Sequence, residues 1–197
     1  MQPANGSFVL TEEFAWETGD MNTEVRKLLV DQLKDAYSAE KQALRCMQKS
    51  ARKASSAALK QGIELHIQQT VVQIERVTKA LGLLDEKPGR KLCMAMKGLV
   101  EEATEESGEH EKGPILDLVI VASMQRIEHY EIAAYGTDVA FAEALGEMEV
   151  ANLLRENLAE EKATDLSLTR LTKQSLMAAA MAQGGDEPKR GSRARAA

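Results

Sequence analysis

The sequence predicts an all-α chain, a bundle of four long helices with one short connector helix, and three observations predict it. Apolar residues recur at i, i+3, i+4 spacing over long stretches. The 197 residues are 44% hydrophobic but only 4% aromatic, so a sizeable core would be built mostly from Ala, Leu, Val, Ile and Met. Four of the apolar stripes also carry a polar, metal-capable side chain at their middle: Glu40, His66 with Gln69, Glu128 with Glu131, and Glu161 with Asp165.

Residues 1–21 hold Pro3, Asn5, Gly6, Gly19 and Asp20 among Phe8, Phe14 and Trp16, with no helical repeat. They read as an irregular arm that either packs its aromatics across the bundle or a second subunit or forms a flexible leader. The first helix is expected from Asn22 or Thr23, either a fit N-cap, to about Ala54, with Leu29, Leu33, Tyr37, Leu44 and Met47 on one face and Glu40 among them. The second runs from Ser55 or Ser56 to Gly82, a suitable C′ residue, and turns Leu59, Gly62, His66, Gln69, Gln73, Val77 and Ala80 inward. A connector helix over about Arg90 to Glu106 follows Pro88 and Gly89 and shows Leu92, Met96, Leu99, Val100 and Ala103 on its apolar side.

Ser107 to Gly113 reads as an acidic loop with a solvated His110, closed by Pro114 at the first position of the next helix. That helix extends to about Leu145 and stops at Gly146, with Asp117, Val121, Met124, Glu128, Glu131 and Tyr135 along its stripe. The last runs from about Glu147 to Met181 with Val150, Leu154, Leu158, Glu161, Asp165 and Leu168 inward, and Glu160 about 100° away at the rim. The bundle domain therefore covers residues 22–181, and composition makes 182–197 a disordered tail with Lys189, Arg190, Arg193 and Arg195.

A net charge of -6 without a basic face in the folded region argues against nucleic acid as a partner. No basic leader with an apolar segment and no run of about 18 apolar residues occurs, so no membrane is expected and the cytoplasm is the default location. Cys46 and Cys93 read as buried reduced thiols rather than a disulfide framework. No Gly-x-Ser-x-Gly, Cys-His or phosphate-loop motif points to nucleophilic catalysis.

Energetics give the inward acids their meaning. Burying one unpaired carboxylate costs several kcal/mol, whereas a domain is stable by about 5 to 15 kcal/mol. Glu128 and Glu131 at i, i+3, and Glu161 and Asp165 at i, i+4, also repel along their helices. Glu40, Glu128, Glu131, Glu161 and Asp165 sum to minus five, which two divalent cations would nearly neutralise. Mixed oxygen and imidazole donors suit iron or manganese, with zinc a third choice.

One Glu on a helix with paired motifs on its neighbours resembles the ferritin-like dimetal-carboxylate bundles. The segments Asp35-Ala36-Tyr37-Ser38-Ala39-Glu40-Lys41-Gln42 and Ile127-Glu128-His129-Tyr130-Glu131-Ile132-Ala133-Ala134-Tyr135-Gly136, with Leu158-Ala159-Glu160-Glu161-Lys162-Ala163-Thr164-Asp165, resemble the YciE/YciF family over about Glu24 to Leu176. The resemblance implies a ferritin-like antiparallel four-helix bundle with its connector between the second and third bundle helices. It also implies a homodimer and a bacterial stress role without a defined reaction.

Rubrerythrin is similar in placing two glutamates one turn apart, as Glu128 and Glu131 stand here. His66-x-x-Gln69 replaces Glu-x-x-His, and Glu161-x-x-x-Asp165 lacks a histidine, so one of the two expected metal positions should be weak. Two classes follow: a redox dimetal protein acting on a small oxidant such as peroxide or oxygen, or a non-catalytic structural or protein-binding bundle. In the first, Glu40 and Glu161 would be terminal ligands, Glu128 and Glu131 would include the bridge, and His66 would supply nitrogen. Tyr37, one turn before Glu40, would pack, or would donate a hydrogen bond or an electron.

Overall fold

The computed structural model describes residues 12–184, with side chains described from residue 21 to residue 182. Helices α1 (Glu12–Lys53), α2 (Ala57–Leu83), α3 (Met94–Glu106), α4 (Pro114–Ala144) and α5 (Met148–Leu171) follow one another, and a π-helical turn (Thr172–Leu176) joins α5 to α6 (Met177–Gly184). The expected all-α class holds, with no strand among the described residues.

The four long helices close a ring in which α1 packs on α2 and α4, and α5 packs on α4 and α2. Three-residue links, 54–56 and 145–147, turn α1 into α2 and α4 into α5, so each linked pair is antiparallel. The connection from α2 to α4 instead travels the length of the bundle. It leaves beside the N-terminal half of α1, where Arg26 donates to the Leu84 carbonyl at 3.0 Å, and arrives near the end of α1, where Lys53 donates to Ser107 Oγ at 2.9 Å.

Several boundaries differ from the sequence reading. Helix α1 begins at Glu12 rather than at Asn22 or Thr23, so 12–21 is helical and not an irregular arm. Once a helix is nucleated, extension through Gly19 costs only about 1 kcal/mol. Residues 1–11, with Phe8, lie outside the described residues, as does the tail from residue 185; α6 itself continues three residues past Met181. The connector helix starts at Met94, with Cys93 as its N-cap, rather than at Arg90. Gly82 does not end α2: Asp85 takes the left-handed conformation (φ 57°), and the Glu86 amide closes the end on the Leu81 carbonyl. Gly146 fills that role after α4 as expected, at φ 75°.

Asp117 lies in the stripe of α4 but serves the fold. Its two oxygens accept the amides of Ser55 at 2.7 Å and Ser56 at 2.8 Å, tying α4 to the turn from which α2 starts. Ser56 then caps α2 by accepting from the Leu59 amide. Asp117→Ala is expected to cost about 3 kcal/mol, because two amides lose a charged acceptor. Urea denaturation of the purified variant measures this loss.

The apolar core comes in two blocks. One gathers Met47, Leu59, Ile63, Met96, Ile120, Met124, Ile127 and Leu168; the other gathers Leu29, Leu33, Val77, Leu81, Leu84, Tyr135, Val139 and Leu154. Glu40, His66, Glu128, Glu131 and Glu161 fall between these blocks in sequence along the four long helices, and all five are buried.

Candidate metal centre

Each of the four bundle helices delivers a side chain to this level because its buried stripe is continuous on both sides of that position. On α2, Ile63 and Thr70 flank His66, and all three are buried; on α5, Leu154 and Leu168 flank Glu161 by one heptad. His66 Nε2 lies 3.1 Å from Glu128 Oε1 and 3.4 Å from Glu161 Oε2. The donor atoms of these three residues lie within 4.8 Å of one another, close enough to share an ion.

Among the described residues no hydrogen bond reaches either oxygen of Glu128, either oxygen of Glu161, or Oε1 of Glu131. The electrostatics record the crowding. Burial and the neighbouring Glu161 push Glu40 up to about 8. Burial, aided by Glu40, pushes Glu128 up to about 8. Glu131 is raised well above the ordinary carboxylate range by burial and Glu40, and Glu161 by burial and Glu128. Four acids with so few donors are the arrangement expected of a site that recruits cations.

Two of the seven expected ligands stand outside the cluster. Gln69 directs Oε1 to the other ring nitrogen, Nδ1, of His66 at 3.4 Å, a position that orients the imidazole instead of joining the carboxylates. Asp165 faces away: it accepts from Gln125 Nε2 at 2.9 Å and lies 3.3 Å from His129 Nε2 at the surface. A full turn beyond Glu161 does not point quite the same way, and α4 offers Asp165 partners before it can reach the centre. Of the seven expected ligands, His66, Glu128 and Glu161 form the compact group, and Glu40 and Glu131 are buried and electrostatically coupled to it.

Other residues near the centre were not singled out from sequence. Tyr135 is buried and donates its hydroxyl to Glu40 Oε1, the role considered for Tyr37. Tyr37 itself is half-buried, with the Lys41 ammonium 5.1 Å from its ring centre. Tyr135 stands four residues beyond Glu131 on the same stripe, so the spacing carried the signal. Asp138, three residues further, is also buried with neither oxygen hydrogen-bonded, and burial and Asp35 push it up to about 7. Glu160 sits on the rim, as expected, where Arg76 grips both its oxygens at 2.8 and 3.0 Å.

The two cysteines are free and buried. Cys93 Sγ lies 3.0 Å from Tyr130 Oη, which donates to Asp35 Oδ2 at 2.8 Å, and burial and Asp35 push the thiol up. A thiol held in this form is a poor metal ligand.

A four-helix ring with inward carboxylates and an imidazole at its midpoint defines a ferritin-like bundle. A dodecameric thioferritin from Bacteroides fragilis shares the fold, with a TM-score of 0.58 at 18% identity over 82% of this chain and 92% of that one. More narrowly, residues 24–181 match the family described as Domain of unknown function (DUF892), and the chain belongs to that family. Protein YciF of Escherichia coli (strain K12) is 43% identical over 148 residues, covering 75% of this chain and 89% of its own. The crystal structure of that protein, described as a stress protein, aligns with a TM-score of 0.71 over 83% of this chain and 98% of that one. YcfI from Rhodopseudomonas palustris aligns with a TM-score of 0.72 at 41% identity, over 74% of this chain and 92% of its own. No helix among the described residues is long and apolar enough to cross a membrane.

Proposed function

We propose that this chain binds divalent metal, iron or manganese ahead of zinc, among Glu40, His66, Glu128, Glu131 and Glu161, and acts on peroxide or oxygen during stress. The observation that carries this reading is the set of buried carboxylate oxygens, on Glu128, Glu131 and Glu161, at which no hydrogen bond arrives. A divalent cation supplies the missing charge, and an oxygen-rich donor set with one imidazole suits iron or manganese. When bound, such a metal supplies one-electron chemistry toward small oxidants.

The protein's own part follows from its contacts. His66 would give Nε2 to the metal, with the proton on Nδ1 held between Gln69 Oε1 and Thr164 Oγ1, 3.4 and 3.2 Å away. Glu128 and Glu161 flank that nitrogen, and Tyr135 fixes one oxygen of Glu40. The apolar blocks exclude water from above and below. The description of the Escherichia coli relative as a stress protein is consistent with such a role.

A single imidazole among the donors favours a second reading, in which one metal only stabilises a non-catalytic bundle. Elemental analysis of protein purified without added metal, followed by a peroxide-consumption assay, separates the two. Near-stoichiometric iron or manganese with metal-dependent turnover is the expected result. Metal without turnover leaves the stabilised bundle, and metal-free, inert protein sinks both readings.

A further inference from the structure

The second face of His66 opens on a different environment. Its Nδ1 edge, with Gln69 and Thr164, forms part of the lining of a groove of about 310 Å³ between α2 and α5. That volume equals about ten waters at ~30 Å³ each, far more than peroxide or oxygen needs and at the lower end for organic ligands. Leu59, Met124 and Leu168 line it from the buried side, and the exposed Leu65 lies at its rim. No Lys, Arg, Asp or Glu contributes to the lining.

Gly62 marks the open wall. A Cβ placed there would meet no atom within 4 Å, so the missing side chain is not demanded by close packing. It leaves room instead.

We propose that this groove binds an uncharged organic molecule with an apolar body and one hydrogen-bonding head, the head resting on His66, Gln69 and Thr164. The apolar walls would take the body, and the three polar side chains would fix its direction. A carboxylate head is disfavoured: the lining offers no cation, and Glu128 and Glu161 stand directly behind the imidazole. The site requires no bound metal, so its test leaves the reading of the metal centre undecided in either direction.

The experiment titrates 1-hexanol and, separately, hexanoate into the metal-free full chain while following the methyl resonances of Leu59, Met124 and Leu168. Saturable shifts with 1-hexanol are expected, with hexanoate at least about tenfold weaker. Gly62→Phe and, from the opposite wall, Ala163→Phe should each weaken 1-hexanol at least about tenfold at unchanged helicity. If one variant fails to fold, the other decides. Non-saturating shifts, equal binding of hexanoate, or unaltered 1-hexanol binding in a folded filled variant would overturn the proposal. So would a groove silent to 1-hexanol whose filling by Gly62→Phe dissociates the protein, because a second copy of the chain would then be its occupant.

Discussion

Glu128→Ala is expected to purify without the divalent metal that the unaltered protein retains, while Asp165→Ala keeps it. Glu128 approaches His66 and is buried against Glu40 and Glu161, so its loss removes a donor from the middle of the cluster. Asp165 already has Gln125 and His129 as partners, and it acts on the cluster only through its charge, the smallest of the causes that raise Glu128. Elemental analysis of both variants reads the difference directly. The metal-free Glu128→Ala protein should also match or exceed the thermal stability of the metal-free parent, since a buried acid without hydrogen bonds has been deleted. Equal metal content in the parent and Glu128→Ala would remove Glu128 from the site.

The metal-free protein is expected to lose several kcal/mol of stability as pH rises from about 5 to about 8, a direction opposite to ordinary acid denaturation. Glu40 and Glu128 are pushed up to about 8, Asp138 to about 7, and Glu131 and Glu161 well above their usual range, in each case chiefly by burial. Between the ordinary carboxylate range and these raised values the folded chain holds protons that the unfolded chain has released. The unfolded state therefore gains relative stability with each increment of pH, until the raised values are passed. Surface carboxylates act oppositely: Glu86, held low by Lys34, loses its contribution only as pH falls through the acid range. Melting temperatures taken in chelator from pH 5 to 8 should fall, and added manganese at pH 8 should restore them, because a cation binds the deprotonated acids. A flat profile in chelator would mean that these acids are solvated rather than enclosed.

Most of the fold was legible because its determinants are periodic and local. The apolar stripes marked four long helices and the connector, the Ser55-Ser56 pair and Gly146 marked two helix ends, and Pro114 marked the start of α4. The start of α1 was hidden because Gly19 and Asp20 look like breakers, yet an established helix runs through them. The end of α2 was misplaced because Asp85 adopts a conformation that glycine usually supplies.

Within the site, Glu40, His66, Glu128, Glu131 and Glu161 were recognisable as polar residues in apolar stripes; all five are buried, and His66, Glu128 and Glu161 have their donor atoms within 4.8 Å of one another. Gln69 and Asp165 occupy similar positions by spacing, but one turn of helix does not repeat an angle perfectly, and each finds another partner first. Tyr135 was read on the Glu128 and Glu131 stripe without its role beside Glu40, and Asp138, which continues that stripe, could have been read from the same periodicity. Arg76 could not: which acid it meets depends on how α2 sits beside α5, a long-range relation that no single helix encodes.

The division of the core into two aliphatic blocks with acids between them also fixes how the rods align along their length. Sliding one helix by a single turn, about 5.4 Å, would drive its polar side chain into hydrocarbon and bring an apolar residue opposite the remaining polar groups. Purely greasy seams would tolerate such slippage cheaply. Here the polar tier works as a vernier that leaves one axial setting favoured, a geometric duty it performs whether or not an ion is seated in it.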